Sequence, residues 1–227
     1  MIDMGKKVAE QLVDTLIEAG VRRIYARIYA VTGDSLNEVN EAVRQNEAMK
    51  WIHVRHEETG AYAAGAEAQL TGLPGCCAGS SGPGHVHLIN GLYDAHRSGA
   101  PVIAIASTIP TGEFGTEYFQ ETNTIKLFND CSFYNEVATT PQQFPRMLQS
   151  ALQTATTRKG VAVIGLPGDL AKKPAAQVES SEQIYPLASS VCPVEEDLIR
   201  MAGMLNHYGR ITLFCGIGCK GAHEEII

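Results

Sequence analysis

The sequence predicts an α/β fold, a parallel sheet with helices on both faces, followed by an incomplete second α/β domain. Short unbroken apolar runs alternate with helical patterns through residues 1–172, which is typical of strands buried on both faces. Residues 173–193 are rich in Pro, Ser and Glu and have the composition of a linker. Residues 194–227 supply one helix, one strand and a fragment, which cannot close a core, so we expect only the start of a second domain there.

Helices are predicted where apolar or small residues recur at helical spacing and a turn residue ends the pattern. Val8, Leu12 and Leu16 share one helix face, and Gly20 follows as a C-terminal cap. In the first domain the predicted helices span 8–19, 36–44, 57–70, 87–98 and 141–156. The predicted strands span 21–31, 50–54, 75–79, 101–106 and 161–166.

The first predicted strand contains a tandem repeat, since the tetrapeptide Arg-Ile-Tyr-Ala at 23–26 recurs without a gap at 27–30. Four extra residues lengthen a strand by roughly 13 Å. An even insertion keeps the inward and outward faces in phase. We therefore interpret the repeat as a local duplication with no functional meaning.

Composition excludes several classes of protein. The 227 residues are 44% apolar and 19% charged, as in ordinary globular proteins. The net charge of -7 argues against nucleic acid as a general partner. No apolar run reaches the roughly 18 residues that a membrane span needs, and no signal peptide is evident, so we expect a cytoplasmic protein. The six cysteines form no Cys-x-x-Cys pair, so no metal site is predicted from them.

A carboxylate pair, Glu57 and Glu58, begins the small-residue helix predicted over 57–70. One interpretation is only structural, because acidic residues stabilise the positive end of a helix. The other is functional, because an acid that enters apolar surroundings must be paired, neutralised or used. Parallel strands end at the same edge of the sheet, so Glu57 and the turns at 33–35 and 82–84 are expected to converge there.

The second domain is predicted to contain a helix over 194–205, a strand over 211–215 and a glycine-rich turn that leads into another helix. Gly216, Gly218 and Gly221 have the Gly-x-Gly-x-x-Gly spacing of dinucleotide-binding turns. This spacing is common by chance, so it leaves a nucleotide-binding protein as one alternative and a simple turn as another.

Several motifs occur in an order that resembles the N-terminal pyrimidine-binding domain of thiamine-diphosphate-dependent enzymes. The resemblance covers nearly the whole chain and is nearest to the flavin-containing pyruvate oxidases, also called pyruvate dehydrogenases (quinone). The motifs that carry it are Arg55-His56-Glu57-Glu58, Ala64-Gly65-Ala66-Glu67-Ala68, Gly79-Ser80-Ser81-Gly82-Pro83-Gly84, His87-Leu88-Ile89-Asn90-Gly91-Leu92 and Phe119-Gln120-Glu121.

The resemblance implies a catalytic role for Glu57. In this family the corresponding glutamate hydrogen-bonds N1′ of the cofactor's aminopyrimidine and promotes the imino tautomer that removes the thiazolium C2 proton. Such an acid must hold a proton near neutral pH, which apolar surroundings favour. Phe119 and Gln120 resemble the catalytic segment that shapes the substrate pocket, although a loop anchored by one buried aromatic residue is the structural alternative.

The resemblance also implies the residues that border the cofactor. The turn at 82–84 would run under the pyrimidine ring, and the turn at 33–35 would border the same cleft. His87 is either a core histidine or a residue facing the site, whereas His85 stands where relatives more often carry a smaller or amide residue. The implied cofactor-binding residues are Gly33, Asp34, Ser35, Gly82, Pro83, Gly84, His87, Gly216 and Gly218.

The implied activity is the oxidative decarboxylation of pyruvate with thiamine diphosphate, FAD and Mg²⁺. The sequence contains no Gly-Asp-Gly motif, which in this family begins the site for Mg²⁺ and the diphosphate, so this chain is expected to supply half a site and to be inactive alone. Gly216 and Gly218 would open the FAD-binding central domain. The family implies a homo-oligomer, either a dimer or a tetramer.

Three alternatives remain open besides the nucleotide-binding reading. The chain could be part of an acetolactate synthase-like enzyme or of a 2-oxo acid decarboxylase, because both share the glutamate and the fold. A third alternative is a truncated module that has no catalysis of its own and pairs with itself or with a longer relative.

Overall fold

The computed structural model describes residues 5–19, 26–30, 33–176 and 192–227. They belong to two compact units, Met1–Ala188 and Ser189–Ile227, and each unit is described by itself. The predicted cap Gly20, both ends of the predicted strand 21–31 and most of the predicted linker lie outside the described residues. Within the described ranges, no helix is both long enough and apolar enough to cross a membrane.

The first unit is built on a six-stranded parallel sheet, which confirms the predicted fold class. The strands are β1 (Ala26–Ala30), β2 (Met49–His53), β3 (Gly75–Gly79), β4 (Val102–Thr108), β5 (Tyr134–Val137) and β6 (Val161–Pro167). Their order is β2-β1-β3-β4-β6-β5, and all neighbours pair in parallel. Strands β3, β4 and β6 are buried along their whole length, as their small and apolar sequences predict.

Helices cover both faces of this sheet. They are α1 (Val8–Glu18), α2 (Asn37–Arg44), α3 (Glu57–Thr71), α4 (Pro83–Val86), α5 (Ile89–Arg97), α6 (Thr124–Leu127), α7 (Phe144–Arg158) and α8 (Gly168–Ala171). The buried side chains of α1, α2 and α7 form one apolar core with one face of the sheet. Those of α3 and α5 form a second core with the other face.

The structure departs from the predicted elements of the first unit in several places. Edge strand β5 was not predicted, because it is short and its residues are mostly half-buried, so it lacks an apolar pattern. The helix predicted over 87–98 corresponds to α5, which begins two residues later, and the separate short helix α4 precedes it and was not predicted. A 3₁₀ turn at Asp34–Leu36 precedes α2. The repeated tetrapeptide at 27–30 forms most of β1, whereas residues 23–25 lie outside the described part of the chain.

Helix α3 lies unusually close to its neighbours because glycines face it. A Cβ atom added at Gly75 of β3 would lie 2.2 Å from the carbonyl oxygen of Ala64. A Cβ atom added at Gly91 of α5 would lie 2.6 Å from both the Cβ of Ala61 and the backbone nitrogen of Tyr62. The run of small residues in the sequence therefore serves backbone-to-backbone packing, and this packing fixes where α3 begins.

The second unit contains α9 (Glu195–His207) and α10 (His223–Ile226), with a 3₁₀ turn at Ile217–Cys219 between them. The predicted helix over 194–205 is confirmed. The prediction of a strand over 211–215 is wrong, because these residues pair with no other strand. A strand needs a neighbour for its backbone donors and acceptors, and the described residues of this unit provide none.

Substitution of Gly91 by alanine tests the close packing of α3 against α5. We expect Gly91→Ala to lower the free energy of unfolding by about 1–3 kcal/mol, since the added methyl group meets backbone that cannot move aside. The matched control is Gly112→Ala, because a Cβ atom there meets nothing within 4 Å. Urea unfolding followed by the fluorescence of Trp51, the single tryptophan and part of β2, measures both variants. Equal midpoints for the two variants would contradict the packing argument.

Candidate active site

The candidate site lies at the edge of the sheet where the strands have their carboxyl ends. The turn after β1 and the turn after β3 are in direct contact there. Ser35 Oγ accepts a hydrogen bond of 3.0 Å from the backbone nitrogen of Ser81. A Cβ atom added at Gly33 would lie 2.5 Å from the Cβ of Ser80. The turn at 33–35 therefore borders the glycine turn, as the topology predicts.

A residue of strand β4 stabilises this contact between the two turns. The hydroxyl group of the buried Ser107 donates to the carbonyl oxygen of Ser35 at 2.8 Å, and it also lies 3.0 Å from the carbonyl oxygen of Leu166. The same hydroxyl therefore links the ends of β4 and β6 to the turn after β1. Because these bonds are buried, they hold the edge of the site in one arrangement.

Glu57 is the first residue of α3 and only 7% of its surface is exposed. Its Oε2 atom lies 3.1 Å from Nδ1 of His87. Its Oε1 atom faces the glycine turn, since a Cβ atom added at Gly84 would lie 3.3 Å from it. Among the described residues, we find no hydrogen bond to Oε1. One oxygen of the buried carboxyl is thus held by the protein, and the other points towards the turn at 82–84.

Two histidines flank this carboxyl. The rings of His56 and His87 stack with their centroids 4.5 Å apart and an interplanar angle of 26°. Both side chains are about half-exposed. Of the two interpretations of His87, the structure therefore supports a residue that faces the site. Sequence reasoning missed His56, although its position next to Glu57 was the available signal.

The neighbouring Glu58 turns away from Glu57. Its Oε1 accepts a hydrogen bond of 3.1 Å from Nδ2 of Asn90 in α5, and its Oε2 lies 3.7 Å from Nδ1 of His56. These contacts fix a second carboxylate on the outer side of His56. The two glutamates that the sequence places together therefore have different surroundings.

The glycine turn and the segment containing Gln120 are packed together. Gly82 has a φ of 67°, and a Cβ atom there would lie 2.7 Å from the Cβ of Gln120. Gln120 also has a positive φ, 66°, and its Oε1 accepts a hydrogen bond of 3.1 Å from Ser81 Oγ. Pro83 begins α4 immediately after this turn. The structure thus brings Gln120 to the glycine turn, a contact that was not predicted from the sequence.

Two predicted site residues have exposed side chains. The Phe119 ring is 79% exposed, so the alternative in which a buried aromatic residue anchors this loop is wrong. Asp34 is also exposed, at the start of the 3₁₀ turn. Neither side chain is fixed by packing within the described part of the chain, and their roles stay predictions.

His85 is a structural residue of the site that sequence reasoning noted only as a departure from the family pattern. Its ring is fully buried. Nδ1 lies 2.8 Å from the carbonyl oxygen of Ser107, and Nε2 contacts Oγ1 of Thr122. Because a carbonyl oxygen only accepts, Nδ1 carries the proton and Nε2 accepts from the Thr122 hydroxyl. The neutral ring therefore connects the glycine turn, β4 and the segment that follows Gln120.

The two glycines predicted for a dinucleotide lie in the second unit. Gly216 is extended and precedes the 3₁₀ turn Ile217–Cys219. A Cβ atom added at Gly216 or Gly218 would meet nothing within 4 Å, so packing within this unit does not require either glycine. Since the predicted strand before them is not formed, their role in nucleotide binding stays a prediction.

The fold and the buried acid at the sheet edge are those of a cofactor-binding α/β domain, and comparison with known families specifies which one. The family model for the N-terminal TPP-binding domain of thiamine pyrophosphate enzymes matches residues 6–127. This match covers more than half of the chain, so the chain belongs to the thiamine pyrophosphate enzyme family. Glu57, the glycine turn and Gln120 all lie within the matched residues.

Curated relatives match nearly the full chain. It is 49% identical over 226 residues to an uncharacterized 42.6 kDa protein of Pseudomonas amyloderamosa, covering 97% of this chain and 55% of that protein. It is 38% identical to the putative thiamine pyrophosphate-containing protein YdaP of Bacillus subtilis, covering 99% and 39%. It is 35% identical over 202 residues to the pyruvate oxidase of Lactiplantibacillus plantarum, covering 88% and 34%. Plant acetolactate synthases are further relatives. The chain thus spans about half or less of the length of these relatives.

The buried His85 predicts a pH dependence of stability. Burial lowers the pKa of His85 below its ordinary value of 6.5, despite the opposing hydrogen bond to Ser107. The unfolded chain therefore takes up this proton at a higher pH than the folded chain, so stability is complete above pH 6.5 and is lost as the pH falls through the folded pKa. We expect His85→Asn to reduce this loss of unfolding free energy between pH 7 and pH 5.

Urea unfolding at several pH values, again followed by Trp51, measures this effect. Burial also lowers the pKa of His96, so the variant should keep part of the slope. The control is His53→Asn, which alters an exposed histidine at the end of β2 and should keep the parent slope. An unchanged slope in His85→Asn would show that the ring is not neutral in the folded protein.

Proposed function

We propose that this chain is the N-terminal part of a thiamine-diphosphate- and FAD-dependent pyruvate oxidase or pyruvate:quinone oxidoreductase. The observation that carries the proposal is the buried Glu57 carboxyl, which His87 holds at one oxygen and which points its other oxygen at the glycine turn. The similarity to a pyruvate oxidase supports the choice within the family. The cytoplasmic location and a homo-oligomeric state belong to the same proposal.

The residues present fit the pyrimidine ring of thiamine diphosphate. A flat ring needs a surface without side chains and a hydrogen-bonding group at its edge. A Cβ atom at Gly84 would lie 2.4 Å from the Ser80 hydroxyl oxygen and 3.3 Å from Glu57 Oε1, so glycine keeps this closely packed surface of the turn free of a side chain. Glu57 is nearly fully buried, which excludes water from competition for the same oxygen. When bound, thiamine diphosphate supplies the electron sink for decarboxylation of a 2-oxo acid.

The chain's own residues have distinct tasks in this proposal. Glu57 holds a proton or gives it up at Oε1, towards the ring edge. His87 orients the carboxyl through Oε2, and the stacked His56 limits the movement of the His87 ring. Gln120, fixed by Ser81 and Gly82, presents the neighbouring Phe119 to the substrate. We assign Phe119 and Gln120 to substrate positioning on this basis.

The remaining parts of the site would come from outside the first unit. Mg²⁺ and the diphosphate need ligands that the resemblance assigns to a Gly-Asp-Gly motif, and these 227 residues contain none. We propose that a second polypeptide or a further domain supplies them. FAD would bind through the segment that contains Gly216 and Gly218. The exposed turn at 33–35 would border the cofactor from the side of β1.

Replacement of Glu57 tests its role in the natural polypeptide that carries this chain. We expect Glu57→Gln to slow pyruvate decarboxylation at least roughly 100-fold, because an amide cannot transfer the proton. The matched control is Glu136→Gln, which removes an exposed carboxylate at β5 and should leave the rate close to that of the parent. Release of CO₂ from labelled pyruvate measures both. A Glu57→Gln variant as fast as the control would overturn the assignment.

The products distinguish the proposed activity from its alternatives. A pyruvate oxidase or pyruvate:quinone oxidoreductase forms acetate or acetyl phosphate and reduces oxygen or a quinone. An acetolactate synthase-like enzyme forms acetolactate from the same substrate, and a 2-oxo acid decarboxylase forms acetaldehyde. Chromatography of the products from pyruvate, with and without a quinone, therefore identifies the class. Acetolactate or acetaldehyde as the main product would replace our proposal by the corresponding alternative.

Calorimetry on the 227-residue chain alone tests whether it holds half a site. We expect no measurable binding of thiamine diphosphate with Mg²⁺, because the charged diphosphate finds no ligands in this chain. Binding in the micromolar range would contradict this expectation. It would also argue against a division of the site between two parts.

A further inference from the structure

We propose that His56, Glu57 and His87 form a binding site for a zinc-type divalent cation at the entrance to the cleft. Each of these residues offers one ligand atom, and the three atoms lie within 4.8 Å of one another. Two imidazoles and one carboxylate form a ligand set that binds Zn²⁺ in enzymes, with a fourth position left for water. The set comes from two elements, the start of α3 and the residues just before α5.

The spacing of two ligand atoms already suits such an ion. Nδ1 of His87 and Oε2 of Glu57 are 3.1 Å apart. Zinc–ligand distances of about 2.0–2.2 Å in a tetrahedral arrangement place neighbouring ligand atoms roughly 3.3–3.5 Å apart. An ion could therefore replace the hydrogen that joins His87 to Glu57 with little movement of either side chain. A hydrogen on Nδ1 of His87 would then move to Nε2, because neutral imidazole coordinates a metal through either ring nitrogen.

The third ligand needs a local rotation. The rings of His56 and His87 are stacked with an angle of 26° between their planes. The nitrogen lone pairs lie in these two planes, so they do not converge on one point. The His56 ring must therefore turn about its Cβ–Cγ bond to face the ion. Both imidazoles are about half-exposed, so solvent occupies the space needed for this rotation and for entry of the ion.

A second carboxylate beside the three ligands favours the binding of a cation. Glu58 Oε2 lies 3.7 Å from His56 Nδ1, and Asn90 holds the other oxygen of Glu58. An outer carboxylate of this kind orients a histidine ligand and raises its basicity. The N-terminus of α3 opposes a positive charge, but the carboxylates of Glu57 and Glu58 lie at the same place and offset it.

The ligand set distinguishes this site from a magnesium site. Imidazole nitrogen suits Zn²⁺, Ni²⁺ and Cu²⁺, whereas Mg²⁺ prefers oxygen ligands. The cation would bind Oε2 of Glu57, whereas the pyrimidine ring would meet Oε1. A carboxylate that coordinates a cation does not hold the proton that the ring edge needs, so the bound cation would inhibit the enzyme. Only this consequence, inhibition through Glu57, rests on the proposed function.

Isothermal titration of the 227-residue chain with ZnCl₂ tests the site. Accessible thiols are themselves zinc ligands. Cys192 and Cys215 are exposed and Cys219 is half-buried, so every protein carries Cys192→Ser, Cys215→Ser and Cys219→Ser. We expect one high-affinity ion per chain, and we expect His56→Ala and His87→Ala each to weaken its binding at least roughly tenfold. The control is His53→Ala, which removes a nearby exposed histidine and should leave the affinity unchanged.

A second measurement avoids changes at the site itself. We expect zinc to shift the imidazole resonances of His56 and His87, but not those of His53, in nuclear magnetic resonance spectra of the serine-substituted chain. Unshifted His56 and His87 signals, or equal affinities in all three histidine variants, would overturn the proposal. Both measurements lack thiamine diphosphate and pyruvate, so their failure leaves the proposed function intact. Conversely, failure of the pyruvate assays leaves the zinc result intact.

Discussion

The close approach of α3 to its two neighbours is the constraint on which the site depends. The helix meets β3 and α5 through backbone and methyl groups, because Gly75 and Gly91 leave no side chains between them. Protein interiors packed at this density are hardly compressible, so the positions of β3 and α5 determine the position of α3. The first residue of α3 therefore lies at a defined depth at the sheet edge. Glu57 is buried because the helix that begins with it cannot move outwards.

The same packing explains why the carboxyl meets both the glycine turn and His87. The turn at 82–84 leads from β3 into α4 and then α5, so one continuous segment packs against α3 and also carries the histidine next to Glu57. The carbonyl oxygen of Ser107 in β4 holds this segment from the sheet side, through a buried hydrogen bond with Nδ1 of His85. The geometry of the site therefore follows from packing between a few elements.

Much of this could be predicted from the sequence, and the reasons for success and failure are physical. The bounds of β3 and the start of α3 were predictable because burial on both faces and small residues leave a local pattern. Strand β5 left no such pattern, because its four residues are half-buried or exposed and include Asn135 and Glu136. The His85 bonds and the stacking of His56 on His87 join residues distant in sequence, which no local signal reveals. The strand over 211–215 was predicted from its apolar residues, but these say nothing about whether a partner strand is present.

The two outer strands of the sheet have a consequence for association between copies of the protein. Strand β2 has five residues and β5 has four, and each carries an exposed charged residue, Lys50 and Glu136 respectively. Short, charged edges resist the addition of a further strand from another chain. Growth of the sheet by strand addition is therefore disfavoured at both sides. Contacts through helices and loops are the more favourable way for copies of this domain to associate.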